Sequence, residues 1–510
     1  MACAIRHFSS LHKAGKNLNT VSCLAWATRQ GSSFSGKSKS KTFGTSSRVL
    51  SSNAGHHDAS TRATDARNGE FSTTLRVQKG RLMDTLHHTC SSFGPGKRWG
   101  SAPTETGMSR LALSDSDRAA RDWFVETTQK LGCAVTIDAM GNIFAVRPGR
   151  RDGPATFAGS HLDTQPSGGR YDGILGILAG IEMLRVLQDH QVETEFSVGV
   201  VNWTNEEGAR FPISMVSSGV WAEEIALERA HNVQEVGGGT ATMKSELERI
   251  GYLGSTPASY RSMPMAAHFE LHIEQGPILE TERQKVGVVK GVQAYKWFTV
   301  DVHGRDAHTG TTPLQSRADA MLLAARLITH SHRLATTCPA LVSTGILTLS
   351  PGSTNTIPGH VRFTLDVRSP TNEGVASMEA SMKRDFALLA AGSNLDGLLD
   401  ASTPGRPLSV EWRTDFESPA TLFHADCISV VRAAAEAVTG SSGLVRDMTS
   451  GAGHDSVYAS RRCPTSMIFV PSKNGVSHNP EEYTSPEDCA IGAEVLLQSV
   501  LRYDRMRAGG

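Results

Sequence analysis

Four short segments place histidines or acids where an apolar run ends. GSHLDTQPSGGRYDGILG (159–176) carries His161, Asp163 and Asp172, and NEEGARFP (205–212) carries Glu206 and Glu207. HFELHIEQGP (268–277) carries His272, and GVSHNPEE (475–482) carries His478. Imidazole and carboxylate are ligands that Zn²⁺ and Mn²⁺ accept. Three histidines, one aspartate and one glutamate would serve two such ions if the aspartate bridged them, leaving the other glutamate as a base. Each segment alone has a plainer reading. The first is a polar turn, Glu206–Glu207 a solvated pair, and His478 a loop residue beside Asn479–Pro480. His272 alternates with Phe269, Leu271 and Ile273, as it would in an amphipathic edge strand. Adjacent acids after a buried strand repel unless a cation neutralises them, and it is the combination that points to a metal.

Such side chains need strand ends to stand on, because α/β folds gather functional groups at the carboxyl edge of the sheet. The stretch 110–132 predicts a helix that Ser114 or Asp115 can cap, with Ala120, Trp123, Phe124 and Leu131 recurring at helical spacing. AVTIDAMGNIFAVRPG predicts a strand pair turning near Gly141, and ATFAGSHLD (155–163) a short buried strand ending in the first motif. GILGILAGIEMLRVLQD (173–189) sets Ile174, Ile177, Leu178, Ile181 and Leu184 on one helical face, and FSVGVVNW (196–203) predicts a strand covered on both faces. This alternation indicates a three-layer α/β domain. After about Val289 the character changes: WFTVDVHG, VSTGILTLSPG, HVRFTLDVRSP and LSVEWRTDFES predict strands. A helix from about Ser316 to His330 and another within VASMEASMKRDFALLAAG accompany them. The α/β pattern resumes near Thr421 with ISVVRAAAEAVTG and the strand TSMIFVPS. A small α+β domain is therefore expected as an insertion: 71–289 and 418–510 form the first domain, and 290–417 the second.

A chain of 510 residues exceeds one hydrophobic core. The 51 basic and 51 acidic residues balance, which leaves no electrostatic footprint for nucleic acid or an anionic membrane. No apolar run reaches the ~18 residues of a membrane-spanning helix. The eight cysteines are scattered without a CxxC pair, as expected of reduced intracellular thiols, so metal ligands must be histidines and carboxylates. Cys463 and Cys489 are expected to be small buried hydrophobes. Residues 1–70 contain no acid before Asp58, while Arg6, Lys13, Lys16 and Arg29 stand among many serines. That composition is expected of a disordered mitochondrial targeting segment, the alternative being a plain basic tail on a cytoplasmic protein.

In this order, GSHLDTQPSGGRYDGILG, NWTNEEGARFP, HFELHIEQGP, GRDAHTG, STNTIPG and SHNPEEYT resemble the amidase (hydantoinase/carbamoylase) branch of the M20 metallopeptidase family. The likeness covers about residues 75–505. It implies an aminopeptidase-like catalytic domain holding two divalent ions per subunit, Zn²⁺ or Mn²⁺, with an inserted α+β lid that forms a homodimer. It makes Asp172 the bridging ligand, His161 and His272 the remaining ligands of one ion, and Glu207 and His478 those of the other. Glu206 would be the general base, and His308 in GRDAHTG would stabilise the oxyanion in the partner's site. Gln275, Asn355 and Arg368 would contact substrate, with Arg368 on its carboxylate. Asp163 would orient His161. The similar stretch SGAGHDSVYAS contains His454 and Asp455, which are expected to be structural.

The implied chemistry is coherent. A ureido carbonyl is a poor electrophile, and paired divalent ions polarise it and lower the pKa of water toward ~7. A glutamate can take the water proton and return it to the departing nitrogen. Within the branch, YDGILGILAGIEMLR, NWTNEEGARFPISMVSSGVW and MKSELERIGYLG are most similar to the eukaryotic β-ureidopropionase type of pyrimidine degradation. The expected substrate is therefore N-carbamoyl-β-alanine, with N-carbamoyl-L-α-amino acids or allantoate as alternatives. An aminoacylase or dipeptidase is a more distant reading. A catalytically silent ureide-binding or scaffold protein would be expected to have lost ligands, and here all five and Glu206 are present.

Overall fold

Strands that read as uninterrupted apolar runs occupy the middle of one large mixed sheet. A computed structural model describes residues 75–397 and 406–509; the segment read as a targeting sequence lies outside them. Strands of the two main sheets are numbered in chain order. The first sheet begins with β1 (Ala134–Ile137), β2 (Ile143–Arg147), β3 (Arg151–His161), β4 (Phe196–Trp203), β5 (Met265–Ile273) and β6 (Val286–Val292). A second sheet follows, from β7 (Ala294–His303), β8 (Leu341–Ser343), β9 (Leu347–Ser350), β10 (His360–Ser369) and β11 (Ser409–Ser418). The chain then returns to the first sheet with β12 (Thr421–Leu422), β13 (Val445–Ser450) and β14 (Thr465–Val470).

The first sheet runs β12-β6-β14-β5-β3-β4-β2-β1, with β13 also pairing β6. Its centre, β14, β5, β3 and β4, is parallel. Such strands need cover on both faces. Helices Ile174–Asp189, Ala425–Thr439 and Pro486–Gly509 pack on one face. Short helices Val216–Trp221 and Asp455–Ala459 lie on the other, over Phe157, Trp203, Met467 and Phe469. The result is three layers.

Local signals set several boundaries. Ser114 caps helix Asp115–Lys130, its hydroxyl accepting the Asp117 N–H at 3.2 Å, a contact worth ~1 kcal/mol. Helix Ile174–Asp189 differs from the one-faced expectation, since every residue from Ile174 to Leu184 is buried. It packs against the sheet, its neighbour Pro486–Gly509 and helix Lys79–Ser92, and a helix enclosed on all sides is apolar all round. β5 is not an edge strand: it lies between β3 and β14, and its polar face of His268, Glu270 and His272 is buried. Partners replace water there. Ser160 and Ser456 hydroxyls donate to Glu270 at 3.0 and 2.6 Å, and the Trp203 indole N–H donates to His268 Nε2 at 3.3 Å.

The second sheet is antiparallel in the order β8-β10-β7-β11, with β9 also on β10. Helices Ala320–Thr337 and Asn372–Ala390 cover one face, over Phe298, Val300, Val302 and Phe363. The stretch predicted as one strand, VSTGILTLSPG, breaks into β8 and β9 because Ile346 N–H turns aside to the Thr364 hydroxyl at 3.1 Å. The first of these helices starts at Ala320 rather than near Ser316, because Asp319 caps it by accepting the Leu322 N–H at 3.0 Å. Among the described residues, no helix is long and apolar enough to cross a membrane. Cys90, Cys133, Cys338, Cys427, Cys463 and Cys489 are free thiols, with Cys463 and Cys489 buried as expected.

Candidate metal centre

The carboxyl ends of β3, β4 and β5 and the loop after β14 meet at Asp172. His161 is the last residue of β3, and its Nδ1 lies 2.9 Å from the Asp163 carbonyl. A carbonyl only accepts, so Nδ1 carries the proton and the Nε2 lone pair faces inward. His272 repeats the arrangement, with Nδ1 2.9 Å from the Ile273 carbonyl. The two Nε2 atoms lie 3.6 and 3.0 Å from Asp172 Oδ1. Among the described residues, His161 Nε2 is buried with no hydrogen-bond partner. Two buried imidazole lone pairs aimed at one carboxylate oxygen repel it unless a proton or a cation lies between them.

Asp172 presents its second oxygen elsewhere. Oδ2 is 3.4 Å from His478 Nε2, which is itself 3.4 Å from Glu207 Oε2. His161, Asp172 and His272 therefore form one group of potential ligands, and Asp172, Glu207 and His478 a second. Gly173 makes the first group possible. Its φ of +65° suits glycine, and a Cβ there would fall 2.3 Å from the His161 ring. Asn205, at φ +58°, provides the turn that brings Glu206 and Glu207 off the end of β4. Its amide donates to the carbonyls of Phe211 and Ile213 at 3.0 and 3.1 Å.

Charge gives the same answer as geometry. Burial, and then the Asp172 carboxylate, push Glu207 up to about 7. Burial also drives Glu206 well above its ordinary value despite His161 nearby, with Asp455 and Glu207 adding to the rise. Burial works against ionised Asp172 too, but His272, His161 and His478 outweigh it and hold this group well below the usual range. His478 rises to about 9, first through its contact with Asp172. Carboxylates packed this closely cannot all ionise unless positive charge joins them. The donor set of imidazole nitrogens and carboxylate oxygens fits Zn²⁺ or Mn²⁺.

Glu206 Oε2 lies 3.6 Å from His161 Nε2, at the wall of a cavity of about 250 Å³. Gln275 and Arg368 also line this cavity. The Gln275 amide donates to Asp172 Oδ2 at 2.8 Å. Arg368 donates to both oxygens of Asp366 and, at 2.8 Å, to the Gly451 carbonyl. Asp163 meets the His161 ring with its backbone carbonyl rather than its carboxylate, which stands 4.0 Å from the ring. It accepts instead the N–H groups of Glu206 and Glu207 at 3.2 and 3.3 Å, so Asp163 orients the histidine through its carbonyl and the glutamates through its side chain.

His308 and Asn355 are not brought to this cavity within one chain. Both are exposed and lie together at the end of the short ladder of Ala307–His308 with Thr356–Ile357, where Thr309 N–H donates to the Asn355 carbonyl at 3.0 Å. His308 Nδ1 accepts from the N–H groups of Gly310 and Thr311 at 3.1 and 3.2 Å, leaving Nε2 as the donor. His454 is buried beside His272, ring centroids 4.5 Å apart, with Nε2 3.0 Å from the Ser450 hydroxyl. Burial and the neighbouring His272 keep it neutral. Asp455 bonds the Ser218 hydroxyl.

Sequence reasoning missed Gln165, Ser477 and Glu482. Gln165 donates to Glu207 from its amide at 2.7 Å and from its backbone at 3.2 Å. The Ser477 hydroxyl lies 3.0 Å from both Asp172 Oδ2 and Glu482 Oε2. Ser477 and Glu482 stand inside the SHNPEEYT motif, yet nothing local to it indicates what they touch.

Residues 157–502 match peptidase family M20/M25/M40. An N-carbamoyl-L-amino-acid amidohydrolase of Rhizobium meliloti is 38% identical over 429 residues, 84% of this chain and 96% of that protein. A ureidoglycolate hydrolase of Oryza sativa subsp. japonica is 33% identical over 414 residues, 78% of this chain and 80% of that protein. The crystal structure of a hydantoinase/carbamoylase family amidase from Burkholderia multivorans superposes with a TM-score of 0.74 at 40% identity. That match covers 84% of this chain and 98% of the other.

Proposed function

We infer the activity from one premise: the chain belongs to peptidase family M20/M25/M40, and is a hydrolase of the hydantoinase/carbamoylase amidase type, acting on non-peptide C–N bonds. We propose that it hydrolyses the ureido group of N-carbamoyl-L-α-amino acids, giving the amino acid, ammonia and CO₂. The observation that carries this reading is the split of Asp172, with Oδ1 toward two histidines and Oδ2 toward His478 beside Glu207. His161, Asp172 and His272 would hold one divalent ion, and Asp172, Glu207 and His478 a second. When bound, the ions polarise the ureido carbonyl and acidify water. Glu206 takes the water proton and delivers it to the leaving nitrogen, a role its raised proton affinity suits. Arg368 offers a planar fork to the substrate carboxylate, for which it exchanges contacts with Asp366.

The relatives described above favour this substrate over the N-carbamoyl-β-alanine expected from sequence likeness, and they add ureidoglycolate as a second reading. Ammonia release from N-carbamoyl-L-amino acids, N-carbamoyl-β-alanine, ureidoglycolate and allantoate, with Zn²⁺ or Mn²⁺ supplied, tests the assignment. Faster turnover of N-carbamoyl-β-alanine than of every α-compound would restore the first expectation.

Two further readings belong to this proposal. Residues 290–417 act as a lid and dimerisation domain, with His308 and Asn355 completing the partner's site; their separation from the cavity of their own chain supports this. Residues 1–70 direct mitochondrial import, which a fluorescent fusion of that segment tests.

A further inference from the structure

One wall of the cavity is aromatic, and no ligand or proton-transfer role accounts for it. Tyr295 and Trp297, two apart on β7, share the face of the second sheet turned toward the metal centre, and both line the cavity with Met215. Trp297 is 41% exposed there. Phe416 backs both rings, with centroids 5.5 Å from Tyr295 and 5.2 Å from Trp297.

Phe416 reaches this face only because β11 carries a bulge. Trp412 pairs Val300 and Thr414 pairs Phe298, on the helix-covered side, but the register then shifts so that Phe416 pairs Trp297 and Ser418 pairs Tyr295. A regular strand would have placed Asp415 beside Trp297. Bulges re-aim side chains in this way. Gly453 keeps the space between Met215 and Tyr295 clear, since a Cβ there would come within 2.9 Å of Met215 Cε and 3.6 Å of the Tyr295 hydroxyl.

Arg368 fixes where this wall lies relative to substrate. It pairs Tyr295 across β10 and β7, and its guanidinium sits 5.1 Å from the Tyr295 ring centroid. Were the carboxylate on Arg368 and the ureido carbonyl at Asp172, the substituent on the α-carbon would be the group facing the rings that line this cavity. N-carbamoyl-β-alanine and N-carbamoylglycine carry only hydrogen there and would leave the rings bare.

We propose that Trp297 and Tyr295, backed by Phe416, are the specificity-determining wall that selects N-carbamoyl-L-α-amino acids with aromatic or large apolar side chains. The proposal rests on the ureido-hydrolase reading above. Its test compares kcat/KM for N-carbamoyl-L-phenylalanine, N-carbamoylglycine and N-carbamoyl-β-alanine in the metal-loaded wild type, Trp297→Ala and Trp297→Phe. The wild type should favour the phenylalanine compound by about 10-fold or more, the scale of an apolar contact. Trp297→Ala should lower that value by about 10- to 100-fold and shift N-carbamoylglycine by less than about 3-fold, while Trp297→Phe keeps most of the preference. The ratio between substrates is insensitive to how much of a variant folds. Equal wild-type rates on all three compounds, or a Trp297→Ala ratio unchanged from wild type, overturns the wall. Failure to release ammonia from any ureido compound overturns the functional reading instead.

Discussion

The Glu482 carboxylate holds the main chain at Asp172, 310 positions earlier in sequence: Oε1 accepts the N–H groups of Tyr171 and Asp172 at 2.9 and 3.0 Å. Its Oε2 takes the Ser477 hydroxyl, the group that also contacts Asp172 Oδ2. Glu482 thus ties the loop carrying Asp172 to the loop carrying His478. If two ions share Asp172 as proposed, a site assembled from distant segments needs such a tie, because an error of position at Asp172 would disturb both.

Glu482→Ala should therefore weaken metal binding by about 10- to 100-fold, the usual cost of losing a group that orients ligands. Metal retained after dialysis against graded chelator measures it. Glu482→Gln, which keeps an acceptor for both N–H groups, should lose less. Equal metal retention in wild type and Glu482→Ala would refute the tie.

Glu206→Gln should keep its metals and lose turnover by about 10²–10⁴-fold, the range of a general base. The side chain keeps its size and its place near His161, so only proton transfer is removed. Metal content and ammonia release measured on the same preparation separate the two effects. A metal-replete variant with near wild-type activity would remove Glu206 from the mechanism.

Much of this site is legible in sequence because its parts are local. Apolar runs announce β3, β4 and β14, a serine before 115 announces a helix, and each candidate ligand stands where a run ends. What escaped depends on pairing. The alternation of β5 suits an edge strand equally well, and only the neighbours β3 and β14 bury its polar face. The bulge that turns Phe416 toward Trp297 leaves no mark in LSVEWRTDFES, where period-2 reading puts Phe416 with Trp412. Glu482 reads as one more acid in a polar loop until the fold brings it to Asp172.

His308→Ala should be inactive as a homodimer, and mixing it with Glu206→Gln subunits should restore about one working site per mixed dimer. In that dimer the His308→Ala subunit keeps its own Glu206 and receives an intact histidine from its partner. An oxyanion contact of this type is worth ~2.7–4 kcal/mol, so the loss and the rescue are both large enough to measure. Activity of the mixture no higher than the sum of the homodimers would place His308 outside any shared site.

Asp138 gives the fold a pH dependence that is separate from the metal centre. Burial pushes its carboxyl up to about 7, even though it accepts the N–H groups of Met140 and Asn142 at 2.8 and 3.0 Å and the Asn142 amide at 2.9 Å. The folded state therefore holds this proton more tightly than the unfolded chain, whose aspartates titrate near ~3.9. Between those two values the folded state binds more protons, so stability from this group is greatest at low pH and declines as pH rises toward about 7. Asp138→Asn keeps an acceptor for the two backbone N–H groups and cannot ionise. The wild type should accordingly lose thermal stability relative to Asp138→Asn on going from about pH 5 to about pH 8, by an amount on the order of a few kcal/mol. Calorimetric melting of the metal-loaded proteins across that range measures the difference, in which contributions common to both cancel. A gap that stays constant with pH would mean that Asp138 ionises in the folded chain as readily as in the unfolded one.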